Sequence, residues 1–138
     1  SDGFHTQESC TQYNALKLNA ELFGRAPHAE LADAFERKLL NGVMGIQRPH
    51  KPGAMLYMMP LGRGVSKPKA NWAGFGEPDT AFWCCYGTGV ESFAKLNDNV
   101  YFEASAPAPP ALWVSQFVPS TLHWRRGGAT LHLASELE

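Results

Sequence analysis

From Tyr13 onward apolar residues recur at spacings of three and four. Tyr13, Leu16, Ala20 and Phe23 fall on one side of a helix, and Ala15, Leu18 and Leu22 line another. A helix with two apolar sides is expected to be covered on both. Ser9 followed by Gln12 has the spacing of a capping box, which puts Cys10 in the first turn, and Gly24 and Pro27 end the run. Leu31, Phe35, Leu39, Val43 and Ile46 give a second stripe from about His28 to about Ile46, with Asp33 and Arg37 four apart on its solvent side. The short connection around Pro27 predicts an antiparallel helical hairpin. Ala54 to Met59 reads as a strand ending at Pro60, and residues 62–81 as an aperiodic loop. Thr88 and Glu91 repeat the capping-box spacing, so a third helix is expected to start just after Cys84 and Cys85 and to end near Asn97. Val100 to Glu103 reads as a strand, and the stretch Ala106 to Pro110 as an extended polyproline-like connector. Beyond it the period becomes two. Leu112 to Val118, Thr121 to Trp124 and Ala129 to Leu133 are strand-like, the last two joined by a turn over Arg125 to Gly128. The expected division is residues 1–105, helical in the main, and residues 106–138, the start of a β domain. So few helices and strands close neither a barrel nor a sandwich, and the stretch is expected to be a segment of a larger protein.

Composition narrows the function classes. The chain has 138 residues, 44% of them hydrophobic, enough for a real core. Twelve basic and 13 acidic residues give a formal net charge of −1, with neither sign in a long run, which argues against nucleic acid or an anionic membrane as the main partner. No apolar run approaches the roughly 18 residues needed to span a bilayer. Nothing in the sequence indicates a compartment or an oligomeric state. Three cysteines are too few for a disulfide framework, which leaves reduced-thiol chemistry as the better expectation.

Two of those cysteines, Cys84 and Cys85, are adjacent, and the third is Cys10. At helix N-termini the macrodipole favours thiolate over thiol. Together with Glu8 they supply three sulfurs and a carboxylate, an acceptable tetrahedral set for zinc, although the spacing is not that of a zinc finger. Burial as small apolar residues, the commonest fate of cysteine, and a strained vicinal disulfide stand beside that reading. His5, His28, His50, His123 and His132 have no metal-ligand spacing and read as surface or strand residues. Gly87, Thr88 and Gly89 lack the third glycine of a dinucleotide fingerprint and read as close backbone packing.

The run from Glu8 to Leu18 resembles the E-S/T-C-x-x-Y-N-x-L-K-L signature of the β-L-arabinofuranosidase family of glycoside hydrolases. Phe35, Glu36, Arg37 and Asn41 resemble its Y/F-E-R-x-x-x-N segment, and Met58, Met59, Pro60 and Leu61 its strand ending in P-L. Phe82 to Glu91 is similar to the F-W-C-C-x-G-T-G-x-E block of one branch. The matches keep their order from residue 8 to about residue 124. The resemblance implies an α+β fragment, the last helices of an (α/α)6 barrel followed by the first strands of a β-sandwich. It implies a zinc-dependent retaining hydrolase acting on an arabinose-containing oligosaccharide or glycan. Glu8, Cys10, Cys84 and Cys85 would be the zinc ligands, Cys84 the nucleophile, and Glu36 and Tyr57 sugar contacts. The family's general acid is a glutamate ahead of the E-x-C motif. Residues 1–7 contain none, and Asp2 is the one carboxylate there. Trp72, Phe75, Phe82 and Trp83 are candidates to stack on a sugar, or to pack a core. The alternatives are a zinc-stabilised structural or carbohydrate-binding fragment without turnover, and a redox protein using Cys84 and Cys85.

Overall fold

The computed structural model describes residues 6–62, 64–67 and 74–134. Asp2, His5 and Trp72 lie outside them. The elements in chain order are β1 (Thr6–Glu8), α1 (Ser9–Arg25), α2 (Ala29–Lys38), β2 (Met58–Pro60), α3 (Cys84–Ala94), β3 (Tyr101–Glu103), β4 (Leu112–Val114), β5 (Ser120–Trp124) and β6 (Ala129–Leu133). The α1 stripe buries as its period requires, with Tyr13, Leu16, Ala20 and Phe23 all in the interior, and Leu18 and Leu22 on the other face stay exposed. Phe35 and Val43 share a cluster with Tyr13, Leu16 and Ala20, so the chain turns back antiparallel along α1. Asp33 and Arg37 form the expected ion pair on the exposed side.

Past Lys38 the helical path continues to Ile46, but it widens to a π turn over Leu39–Val43 and tightens to a 3₁₀ turn over Met44–Ile46. Gly42 lies in the wide turn where a Cβ would fall 2.5 Å from the Cβ of Gln12, so only glycine lets the two backbones approach this closely. Ala54, Met55, Leu56 and Tyr57 then pass through the centre of the molecule, all buried. The strand expected over this run is shorter and later. Met55 and Leu56 make single bridges to Gln47 and Phe75, and regular pairing begins only at Met58. There β2 runs antiparallel to β1 with Glu8 opposite Met58, and the Ser9 amide donates to the Tyr57 carbonyl at 3.0 Å.

Neither capping box forms. Ser9 is already inside α1, its Oγ buried and without a hydrogen-bond partner among the described residues, and Glu8 occupies the cap position in extended conformation. The β1–β2 pairing holds the chain extended up to Glu8 and so sets where the helix starts. The Gln12 amide bonds to Gln7 instead. Thr88 lies in the middle of α3, which begins four residues earlier, at Cys84. Cys84 and Cys85 are therefore the first two residues of the helix and do not precede it.

After α3, strand β3 lies against α1 through an edge-to-face contact of Phe102 with Phe23, centroids 4.8 Å apart. Residues 106–110 turn back as the loop of a β3–β4 hairpin and do not extend away, and the Ala104 amide donates to the Ala111 carbonyl at 2.9 Å. Strands β5 and β6 form the expected second hairpin, with Gly128 at φ +65° in its turn. Alternation along β5 is as read, with Ser120, Leu122 and Trp124 half-buried and Thr121 and His123 exposed. The two hairpins are joined by Tyr101 with Ser120 at 2.8 Å and by the Trp124 indole donating to Glu103 at 3.0 Å.

Candidate metal centre

Three elements deliver four donor side chains to one place. Glu8 ends β1, Cys10 follows in the first turn of α1, and Cys84 and Cys85 open α3. Their ligand atoms all lie within 4.8 Å of one another. Cys10 Sγ donates to Glu8 Oε2 at 3.5 Å, Cys85 Sγ lies 3.2 Å from Cys10 Sγ, and Cys84 Sγ lies 3.9 Å from Cys85 Sγ. The two adjacent cysteines differ in access: Cys85 is fully buried, whereas Cys84 is exposed.

The local backbone explains this divergence. Cys84 takes a left-handed φ of +44°, which turns the chain from the extended Trp83 into the helix. One turn on, a Cβ on Gly87 would meet the Phe82 carbonyl oxygen at 2.5 Å, and a Cβ on Gly89 would meet Met55 Sδ at 2.3 Å. The two glycines thus let α3 sit down on the loop before it and on the buried Met55, which is the close packing expected of them.

Tyr57, Trp83 and Tyr86 form an aromatic wall beside the sulfurs. Tyr57 is 4.8 Å from Trp83 and 5.3 Å from Tyr86, and Trp83 is 5.2 Å from Tyr86. Tyr57 and Tyr86 are buried, and Trp83 is half exposed. The Tyr57 hydroxyl donates to Cys84, which lowers the Cys84 thiol pKa against the opposing effect of burial and raises that of the phenol. Cys10 goes the other way, pushed up to about 12 by burial first and then by Cys85 and Glu8. A divalent cation would invert that, because coordination deprotonates the thiol. Three sulfurs and one carboxylate in a pocket of this span suit a thiophilic ion of tetrahedral preference.

Farther along the same helices, the Tyr13 hydroxyl donates to Glu91 at 3.1 Å, and Lys17 lies 3.7 Å from the same carboxylate and 4.6 Å from the centre of the Tyr13 ring. This network ties α1 to α3 beyond the cluster. Sequence reading missed this network; of the aromatic wall it singled out Tyr57 and Trp83 and missed Tyr86, although its place directly after the cysteine pair was a signal.

The other candidates divide. Tyr57 is at the cluster. Glu36 is exposed on α2 and makes no side-chain hydrogen bond or ion pair among the described residues. Phe75 packs on the Met55 and Leu56 cluster, and Phe82 is exposed. His28, His50, His123 and His132 are exposed, the last two bonded across β5 and β6 to Thr130 and Thr121. No described helix is long and apolar enough to cross a membrane.

No curated protein and no solved structure matches the chain. Residues 1–98 match the family model described as β-L-arabinofuranosidase, GH127 catalytic domain, and that span contains every donor of the cluster. The chain belongs to this family of glycoside hydrolases.

Proposed function

We propose that the protein is a zinc-dependent retaining hydrolase of β-L-arabinofuranosides in which Cys84 is the nucleophile and Glu8, Cys10 and Cys85, with Cys84, hold the metal. The observation that carries this reading is the meeting of four donors within 4.8 Å with a single exposed sulfur among them. The donor set fits zinc. Tetrahedral zinc with bonds of about 2.3 Å to sulfur and about 2.0 Å to oxygen separates two sulfurs by about 3.8 Å and a sulfur from an oxygen by about 3.5 Å. The Cys84–Cys85 and Cys10–Glu8 separations are 3.9 and 3.5 Å, and the Cys10–Cys85 pair, at 3.2 Å, would open by about half an ångström to admit the ion. Zinc would supply one thing, a thiolate at neutral pH.

The rest is work for the chain. Cys84 presents its sulfur to solvent, Tyr57 donates a hydrogen bond to it, and the half-exposed Trp83 offers a flat face on which a sugar ring can lie. Attack of the Cys84 sulfur on the anomeric carbon breaks the glycosidic bond and gives a thioglycosyl intermediate. Water then attacks the same carbon, gives a proton to the residue that protonated the leaving oxygen, and returns the thiolate, so configuration is retained. The proton for the leaving oxygen is expected from a glutamate ahead of the E-x-C motif, and residues 1–7 contain none. We further propose that α1 and α2 belong to a larger (α/α)6 barrel and that β3 to β6 begin a β-sandwich. The exposed apolar residues Leu18, Leu22, Leu40 and Met44 support this, since they give the helices a second face to bury.

Hydrolysis of an aryl β-L-arabinofuranoside by the protein and its variants tests the reading. Cys84→Ser is expected to lose at least about a thousandfold in kcat while keeping its fold. Cys85→Ser is expected to lose zinc first and activity as a consequence, with added zinc restoring part of the rate. Equal rates for Cys84→Ser and the unchanged protein would refute the nucleophile.

A further inference from the structure

The three sulfurs are not equivalent as disulfide partners. Cys10 and Cys85 come from different helices and lie 3.2 Å apart, whereas the neighbours Cys84 and Cys85 lie 3.9 Å apart. Adjacent residues across a trans peptide have Cα atoms about 3.8 Å apart, below the separation of at least about 4.4 Å that an unstrained disulfide spans. Cys85 is moreover held in the first turn of α3. The pair across the two helices carries no such constraint, and closing a link between residues so distant in sequence restricts the unfolded chain most.

We infer that Cys10 and Cys85 are a redox pair: in the metal-free protein a small-molecule disulfide such as oxidised glutathione closes a Cys10–Cys85 bond and leaves Cys84 as the remaining thiol. Cys84 is the point of entry because it alone of the three is exposed. Its sulfur attacks the oxidant, forming a mixed disulfide and releasing one reduced glutathione, which takes the proton from Cys84. Cys10, whose sulfur lies within 4.8 Å of that of Cys84, then attacks the Cys84 sulfur and expels the second glutathione, which takes the Cys10 proton. Cys85, 3.2 Å from Cys10, attacks the Cys10 sulfur, passes its proton to the departing Cys84 sulfur, and leaves the Cys10–Cys85 bond in place. In sum two thiols lose two protons and two electrons, and one glutathione disulfide becomes two thiols. The bond removes two of the four donors, so the oxidised chain takes up no metal until a reductant reopens it. This inference rests on the sulfur geometry and is independent of the reaction that the protein catalyses.

The test treats the protein with oxidised glutathione and a chelator, alkylates the remaining thiols, and digests with trypsin without reduction. Trypsin cuts after Lys17, Lys69 and Lys95, so Cys10 falls on one peptide and Cys84 and Cys85 share another. The expected product is the two peptides covalently joined, with a single alkyl group on Cys84, and reduction separates them. Cys84→Ser is expected to reach the same joined product more slowly. Loss of two hydrogens within residues 70–95 with Cys10 alkylated would overturn the inference, and so would full alkylation of all three cysteines.

Discussion

Cys84 pays for its position with backbone strain. A left-handed φ in a residue that carries a Cβ costs about 1 to 2 kcal/mol, and the surrounding contacts must impose it. Gly87 is one such contact, its α-carbon seated over the Phe82 carbonyl at a distance that leaves no room for a methyl group. Two effects compete in Gly87→Ala. Helix propensity favours alanine by about 1 kcal/mol, and overpacking against a fixed backbone oxygen costs about 1 to 3 kcal/mol. The obstacle is main chain and not the end of a flexible side chain, so the steric cost is expected to win. Urea unfolding is expected to show Gly87→Ala less stable than the unchanged protein, and a midpoint at or above the original would refute this packing account. The motif made both glycines visible in sequence, and the pattern correctly indicated close packing. It did not indicate that Phe82 and Met55 are what they pack on, since Met55 lies more than thirty residues away.

At the scale of elements, helix periodicity was legible, and so was the start of α2, expected at about His28 and found at Ala29, whereas the two capping boxes did not form. All four residues of the Tyr13 to Phe23 stripe are buried, because burial of a face follows directly from the period. Ser9 and Thr88 have capping-box spacing, yet the starts of α1 and α3 are set by tertiary contacts: β1 paired with a strand fifty residues on, and the loop before Cys84 wedged under Gly87. Such contacts leave no local signature. The Tyr13–Glu91 bond is of the same kind, and it has a measurable titration. Burial first, then Glu91, pushes the Tyr13 phenol from its usual value near 10 up to about 12. A group whose folded pKa is raised stabilises fully below the unfolded pKa and loses that contribution as pH rises through the folded one. Tyr13 is therefore expected to support the α1–α3 contact at all pH values below about 10 and to release it as pH approaches about 12. Tyrosinate absorbance against pH is expected to show Tyr13, Tyr57 and Tyr86 all ionising late, with one of the three moving earlier in Glu91→Gln, and an unchanged titration in that variant would contradict the assignment.

For the whole molecule the question is what covers the second face of α1. Leu16 is buried and Leu18 is 57% exposed within the described residues. Leu16→Ala is expected to cost about 2 to 5 kcal/mol in any setting, as a core truncation does. Leu18→Ala separates the settings. If further helices of a barrel pack on that face, it costs as much as Leu16→Ala, and if the face is solvated the loss stays below about 0.5 kcal/mol. Thermal unfolding of both variants in the protein distinguishes the two, and the proposed barrel predicts the larger loss. The candidate site was legible as a donor set from Glu8, Cys10, Cys84 and Cys85, because the residue types and the family motifs are in the chain. Its closeness, with three elements meeting inside 4.8 Å, is a product of long-range pairing. The claim joining all three scales is the four-ligand zinc centre, and zinc X-ray absorption tests it most directly. One zinc per chain is expected, with three sulfurs at about 2.3 Å and one oxygen at about 2.0 Å, falling to two sulfurs in Cys84→Ser. A shell of oxygen and nitrogen alone, or the same sulfur count in that variant, would contradict it.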